Sequence, residues 1–202
     1  LIIYQSEGTQ PKKRIFIKDL SKSNASVTPF LDQFDASYEI IGNIQDTFFV
    51  LTSNSAPRNR LVAISLSNPE PNKWKTILEE DSKGSILQDV TFINHQFVAQ
   101  VMTDAKTSLI IYDIEGHQES SIKMPGLGSV SGMSGDEDDS EGFYTFSSFN
   151  QPPTGYRYDF KAKVSTTFRA PKILFRPENF ITKQVFVTSK DGTQIPIFIS
   201  HK

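Results

Sequence analysis

At 202 residues, with 37% hydrophobic and 11% aromatic content, the chain is long enough to bury a core of one or two domains. Its formal net charge of −2 gives no electrostatic footprint for nucleic acid, and no apolar run approaches the ~18 residues of a membrane-spanning helix. Zero Cys excludes disulfides, Cys-x-x-Cys redox chemistry and thiolate zinc sites, and leaves cytoplasm and periplasm both open as compartments.

The first residues, LIIYQSEG, start inside an apolar strand-like run without Met, a charged n-region or a small-residue cleavage site. The chain is therefore expected to be a segment of something longer. LIIYQS is followed by RIFIKDL (14–20) and SVTPFLDQ (26–33), each short and alternating in polarity. The next series, SYEIIGNI, DTFFVLTS, RLVAISL (60–66) and KWKTILEE, adds a run in front. ILQDVTFI, QFVAQVMT, LIIYDI (109–114) and QESSIKMP repeat that order, and GFYTFSSF, YRYDF (156–160) and STTFRAP continue it. Leu20, Leu66, Ile114 and Phe160 close the equivalent run in each series, at spacings of 46, 48 and 46 residues.

About four short strands in ~40–50 residues, joined at Gly, Pro, Asn and Asp and lacking any 3.6-residue periodicity, predict an all-β chain of β-propeller blades, roughly three and a half of them. A β-sandwich is the competing architecture, since it too is built from many short strands. A blade buries its two faces against neighbouring blades, so a partial propeller is expected to carry apolar outer faces open to self-association. The 16 Phe suit such packing.

Two stretches invite motif readings. In GLGSVSGMSG (126–135), Gly126 and Gly128 fit a dinucleotide loop, but Ser131 stands at the third glycine position and no strand-then-helix pattern surrounds it. Gly132-Met133-Ser134 begins like a nucleophile elbow, yet Gly135 comes one residue early and Asp136 occupies the required glycine. The segment reads instead as a Gly/Ser connection leading into a blade's innermost strand. GDEDDSEG (135–142) gathers five carboxylates without EF-hand spacing or flanking helices, and reads as a solvated turn between strands. His95, His117 and His201 are scattered, with no metal-ligand spacing. No catalytic residues, metal site or cofactor site can be assigned.

After the fourth series, RAPKILFRPENF interrupts regular pairing at Pro171 and Pro177. The chain then runs VFVTSKDGTQIPIFISHK, two β-rich runs flanking Lys190, Asp191 and Gly192, a strong hairpin signal because Gly supplies the positive φ that a tight turn needs. Repeats followed by this stretch resemble the prolyl oligopeptidase family of serine peptidases, in which a seven-bladed propeller precedes an α/β-hydrolase domain that opens on strands similar to SKDGT.IP.FI.HK. NRLVAISLSNPEPNKWKTILEE (59–80), VSGMSGDEDDSEGFYTFSSFNQPPTGYRYDF (130–160) and EGT (7–9) carry the resemblance along the rest of the chain.

The resemblance implies about half of a seven-bladed β-propeller over residues 1–178 and the start of the α/β-hydrolase domain over 179–202. The family's catalytic Ser, Asp and His lie beyond Lys202, so none falls on a residue of this chain. Family members often carry an Arg just before the Glu-Gly that matches Glu7-Gly8; Ser6 stands there, and Ser6, Gly8 and Thr9 become candidates for the lining of a substrate cavity. The implied activity is cleavage of short peptides after proline through an activated Ser, with the propeller as a size filter. Implied partners are proline-containing peptides, the hydrolase domain and the remaining blades. The alternatives are an oligopeptidase of the same family that cleaves after basic residues, and a non-catalytic propeller that binds a protein or glycan.

Overall fold

Alternating residues send successive side chains to opposite faces of a strand, and here nearly every such run becomes one. The computed structural model describes residues 1–202 and divides into two compact units, Leu1–Lys83 and Gly84–Lys202. Helix is limited to two single 3-10 turns, Pro71–Lys73 and Pro177–Asn179.

In the first unit, β1 (Ile2–Ser6), β2 (Lys13–Ile17) and β3 (Thr28–Leu31) form a three-stranded antiparallel meander. Strands β4 (Tyr38–Ile44), β5 (Thr47–Thr52), β6 (Arg60–Ser65) and β7 (Lys75–Leu78) form a four-stranded one. By repeat phase β1 corresponds to β5, so the first sheet has no counterpart of β4. The two sheets share a core of Ile15, Phe30, Leu31, Ala36, Tyr38, Phe48, Val50, Val62 and Ile64. The Tyr38 hydroxyl leaves that core to donate to Asp35 Oδ1 at 2.7 Å, and its ring meets Trp74 edge-on at 6.2 Å. Burial, reinforced by the Asp35 carboxylate, pushes the Tyr38 phenol well above its ordinary pKa.

The second unit repeats the plan twice. Strands β8 (Ile86–Ile93), β9 (Gln96–Thr103), β10 (Lys106–Tyr112) and β11 (Gln118–Ile122) make one meander, and β12 (Ser129–Ser134), β13 (Glu141–Ser148), β14 (Gln151–Asp159) and β15 (Val164–Arg169) the next. Their facing sides enclose Ile93, Val98, Leu109, Ile111, Val130, Met133, Tyr144, Phe146 and Tyr158, and Thr91 Oγ1 crosses between the sheets to donate to the Met133 carbonyl at 2.9 Å. A separate two-stranded hairpin, β16 (Ile181–Thr188) and β17 (Gln194–His201), ends the chain.

In every meander sheet neighbours are also sequence neighbours, which is the order within propeller blades and differs from the Greek-key connections of a sandwich. Three blades are complete and one has three strands. The Gly/Ser segment is a blade's edge strand rather than a connection leading to it: Val130 and Met133 of β12 are buried. A bulge between Ser131 and Met133 places Gly132 at φ +67°, a conformation glycine adopts without Cβ strain.

Candidate functional site

Loops carry function when a rigid scaffold positions them, and each meander offers one at the same repeat phase, the turn between second and third strands in the complete blades and between β1 and β2 in the three-stranded one. In β-sheet order these are residues 7–12, 53–59, 104–105 and 149–150. Ser6 closes β1 opposite Lys13; Gly8 turns with φ +58°, and the Gln10 N–H donates to the Glu7 carbonyl at 3.3 Å. The structure thus brings Ser6, Gly8 and Thr9 to one exposed turn. Their backbone equivalents in the second unit are Asp104 with Ala105, and Phe149 with Asn150.

Those two equivalents hold the terminal hairpin. The Asn150 side-chain amide donates to the carbonyls of Pro177 at 3.3 Å and Phe180 at 3.1 Å, fixing the connector where it enters β16. Gln184 donates to the Asp104 carbonyl at 2.6 Å, while its Oε1 accepts from Lys106 Nζ at 3.2 Å. The Phe149 and Phe198 rings approach to 5.4 Å. Asp104 and Ala105 both have positive φ, +50° and +59°, as a two-residue hairpin turn of type I′ requires.

The hairpin's register, with Val185 opposite Ile197 and Val187 opposite Ile195, sorts its side chains into two faces. Thr182, Gln184, Pro196 and Phe198 are half-buried on the face toward the turns. The opposite face presents Ile181, Val185, Val187, Ile195, Ile197 and Ile199, all between 36% and 52% exposed. Its loop is closed by Asp191, which accepts from Ser189 Oγ at 2.5 Å and from the Thr193 N–H at 3.0 Å. These bonds hold the Asp191 carboxyl down at about 2.

The acidic loop spends its charges locally. Asp139 Oδ2 accepts from the Asp136 N–H, Glu141 pairs with Arg157 at 3.2 Å, and Glu137 and Asp138 each lie 3.4 Å from a ring nitrogen of His95. His117 sits 2.9 Å from Asp113 in the turn after β10. No three His, Cys, Asp or Glu side chains gather to hold a metal ion.

Sequence reasoning missed Asn150, Gln184 and the His95 contact. The available signal for the first was position alone: Asn150 falls in the same turn of its series that EGT occupies in the first.

With this geometry in view, the likenesses to known proteins are consistent in kind. The family described as "Prolyl oligopeptidase, N-terminal beta-propeller domain" matches residues 1–171. The chain is similar to a prolyl endopeptidase of Elizabethkingia meningoseptica, 34% identical over 202 residues, which cover all of this chain and 28% of that protein. It is also similar to the dual function macrocyclase-peptidase POPB of Galerina marginata, 31% identical over 208 residues, covering 98% of this chain and 28% of that one. Among solved structures, apo prolyl oligopeptidase B from Galerina marginata superposes with a TM-score of 0.88 at 29% identity, over 98% of this chain and 29% of that one. The same enzyme bound to a 35mer hydrolysis and macrocyclization substrate gives a TM-score of 0.84. The chain spans a little over a quarter of the length of these relatives.

Proposed function

Because the chain belongs to the prolyl oligopeptidase family through its N-terminal β-propeller domain, we propose that it is the propeller segment of a serine peptidase that cleaves short peptides after proline. In this reading residues 1–178 are propeller blades that act as a size filter before an enclosed cavity. Residues 179–202 open the α/β-hydrolase domain that supplies the nucleophile, base and oxyanion hole. Ser6, Gly8 and Thr9 line the cavity on the turn equivalent to those that seat the hairpin.

The observation that carries the reading is the order of blades followed by a hairpin with an uncovered aliphatic face. Six exposed Ile and Val side chains on one side of a two-stranded sheet call for a covering layer, and an isolated hairpin is marginal in water. The partners proposed are that covering domain, the remaining blades and proline-containing peptides. A bound 35mer in the Galerina marginata enzyme supports a peptide rather than a folded protein as substrate class.

The test compares residues 1–202 with the same polypeptide continued through the following domain. The short chain is expected to give no turnover of a proline-containing chromogenic peptide above background. The continued one should cleave it after proline and leave a folded protein carrying the same sequence intact. Turnover by the short chain that an active-site serine reagent abolishes, or cleavage by the long one only after basic residues, would overturn the reading.

A further inference from the structure

We propose that Asn150 and Gln184 form a releasable catch that seats the β16–β17 hairpin on the turns of its neighbouring blades. The contacts between hairpin and turns are few and differ in kind from those inside the blades. Asn150 grips the connector at the Pro177 and Phe180 carbonyls, Gln184 bridges Lys106 Nζ and the Asp104 carbonyl, and one ring pair, Phe149 with Phe198, adds apolar contact. None of these is an ion pair, and no hairpin residue belongs to the buried core of the second unit.

Contacts of this sort exchange with water at little net cost. A hydrogen bond made to a side-chain amide at a half-exposed site is replaced by one to solvent when it opens, whereas the buried faces of β8–β15 have no such substitute. The receptor is preformed. Asp104 and Ala105 hold positive φ at both turn positions, with Ala at a position that usually favours Gly, so a strained turn presents the carbonyl that Gln184 uses. The connector, residues 170–180, carries Pro171 and Pro177 and leaves Ile173, Leu174 and Phe175 exposed, so no core packing fixes it; Asn150 does. The hairpin's two faces then have two duties. The half-buried face toward the turns is the one that lets go, and the exposed aliphatic face is the one that the proposed next domain would cover.

In the reading given above the hairpin travels with the next domain, and the catch sets how readily that domain lifts from the blade turns. This consequence rests on that reading; the catch itself rests on contacts within this chain.

The chain contains no Cys, so two can be introduced for spin labels, Lys161→Cys on the exposed β14–β15 turn and Lys190→Cys at the hairpin tip. Electron–electron distance measurement on residues 1–202 is expected to give one narrow distribution. Gln184→Ala and Asn150→Ala should each raise a displaced population by roughly five- to tenfold, as the loss of one or two modest hydrogen bonds does, and the double variant further. Lys183→Ala, on the opposite face, should leave the distribution unchanged, and circular dichroism should report intact sheets throughout. A double variant whose distribution superposes on the parent's, or an equal displacement from Lys183→Ala, would overturn the catch. Either result leaves the peptidase reading standing, because that is tested by turnover and not by distance.

Discussion

Gly128 shows how a single missing side chain can decide a blade junction. It precedes β12, its carbonyl accepts from the Thr107 N–H of β10 at 3.1 Å, and a Cβ there would lie 2.6 Å from Phe146 Cζ, with the Ser147 carbonyl nearer still. Backbone cannot yield cheaply, and Phe146 is only 1% exposed in the core. Gly128→Ala is therefore expected to destabilise the fold by about 1–3 kcal/mol, as overpacking does. Gly126→Ala, two residues earlier with nothing within 4 Å, should stay within about 0.5 kcal/mol of the parent. Urea midpoints of the two variants check this, and equal shifts would mean that the close approach is relieved elsewhere. The role of Gly128 was not legible in GLGSVSGMSG, because what crowds it comes from β13.

At the scale of the element, the hairpin turn carries a pH dependence with a definite sign. Ser189 and the Thr193 N–H stabilise the charged Asp191 carboxylate in the folded turn, lowering it from 3.8 to about 2. A depressed folded-state pKa contributes stability above the ordinary value of 3.8, and that contribution is lost as pH falls through about 2. The Thr193 amide resonance should titrate with a midpoint near 2 in the parent and lose that step in Asp191→Asn. A midpoint at the ordinary carboxylate value would show that the turn does not hold Asp191. Asp-Gly between two β-rich runs made this hairpin readable in advance, down to Lys190, Asp191 and Gly192 as the loop. Its seating was not readable, since Gln184 reaches a carbonyl 80 residues away and Asn150 one 30 residues away, and local pattern encodes no such pairing. β12 shows the opposite failure: Gly and Ser have weak strand preference, and burial of Val130 and Met133 makes the strand all the same.

For the molecule as a whole, the repeat was legible but three of its four markers, Leu20, Leu66 and Ile114, lie outside the core, while Phe160 is buried. Leu20 is 66% exposed, while Ile15, Leu61 and Leu109, five residues before the first three markers, are fully buried at the same spacings. Constant spacing therefore reported the phase of the blades, and alternation reported which side faces inward. The same arithmetic leaves Gly155 in the fourth series, where a bulge between Gly155 and Tyr156 shifts the register to β15. The other face of that sheet is open: Phe168, 67% exposed, meets the Phe143 ring at 5.0 Å beside a trough of 730 Å³. An apolar blade face of this kind associates with another surface when its own neighbour is absent. Residues 1–202 are accordingly expected to sediment as a monomer at low concentration and to form dimers as concentration rises, and Phe168→Asp should weaken that association by at least about tenfold, the effect of a buried charge without a partner. A chain that stays monomeric across the whole concentration range, or a variant that dimerises as well as the parent, would show that the face is tolerated in water and that the missing blades are not needed to shield it.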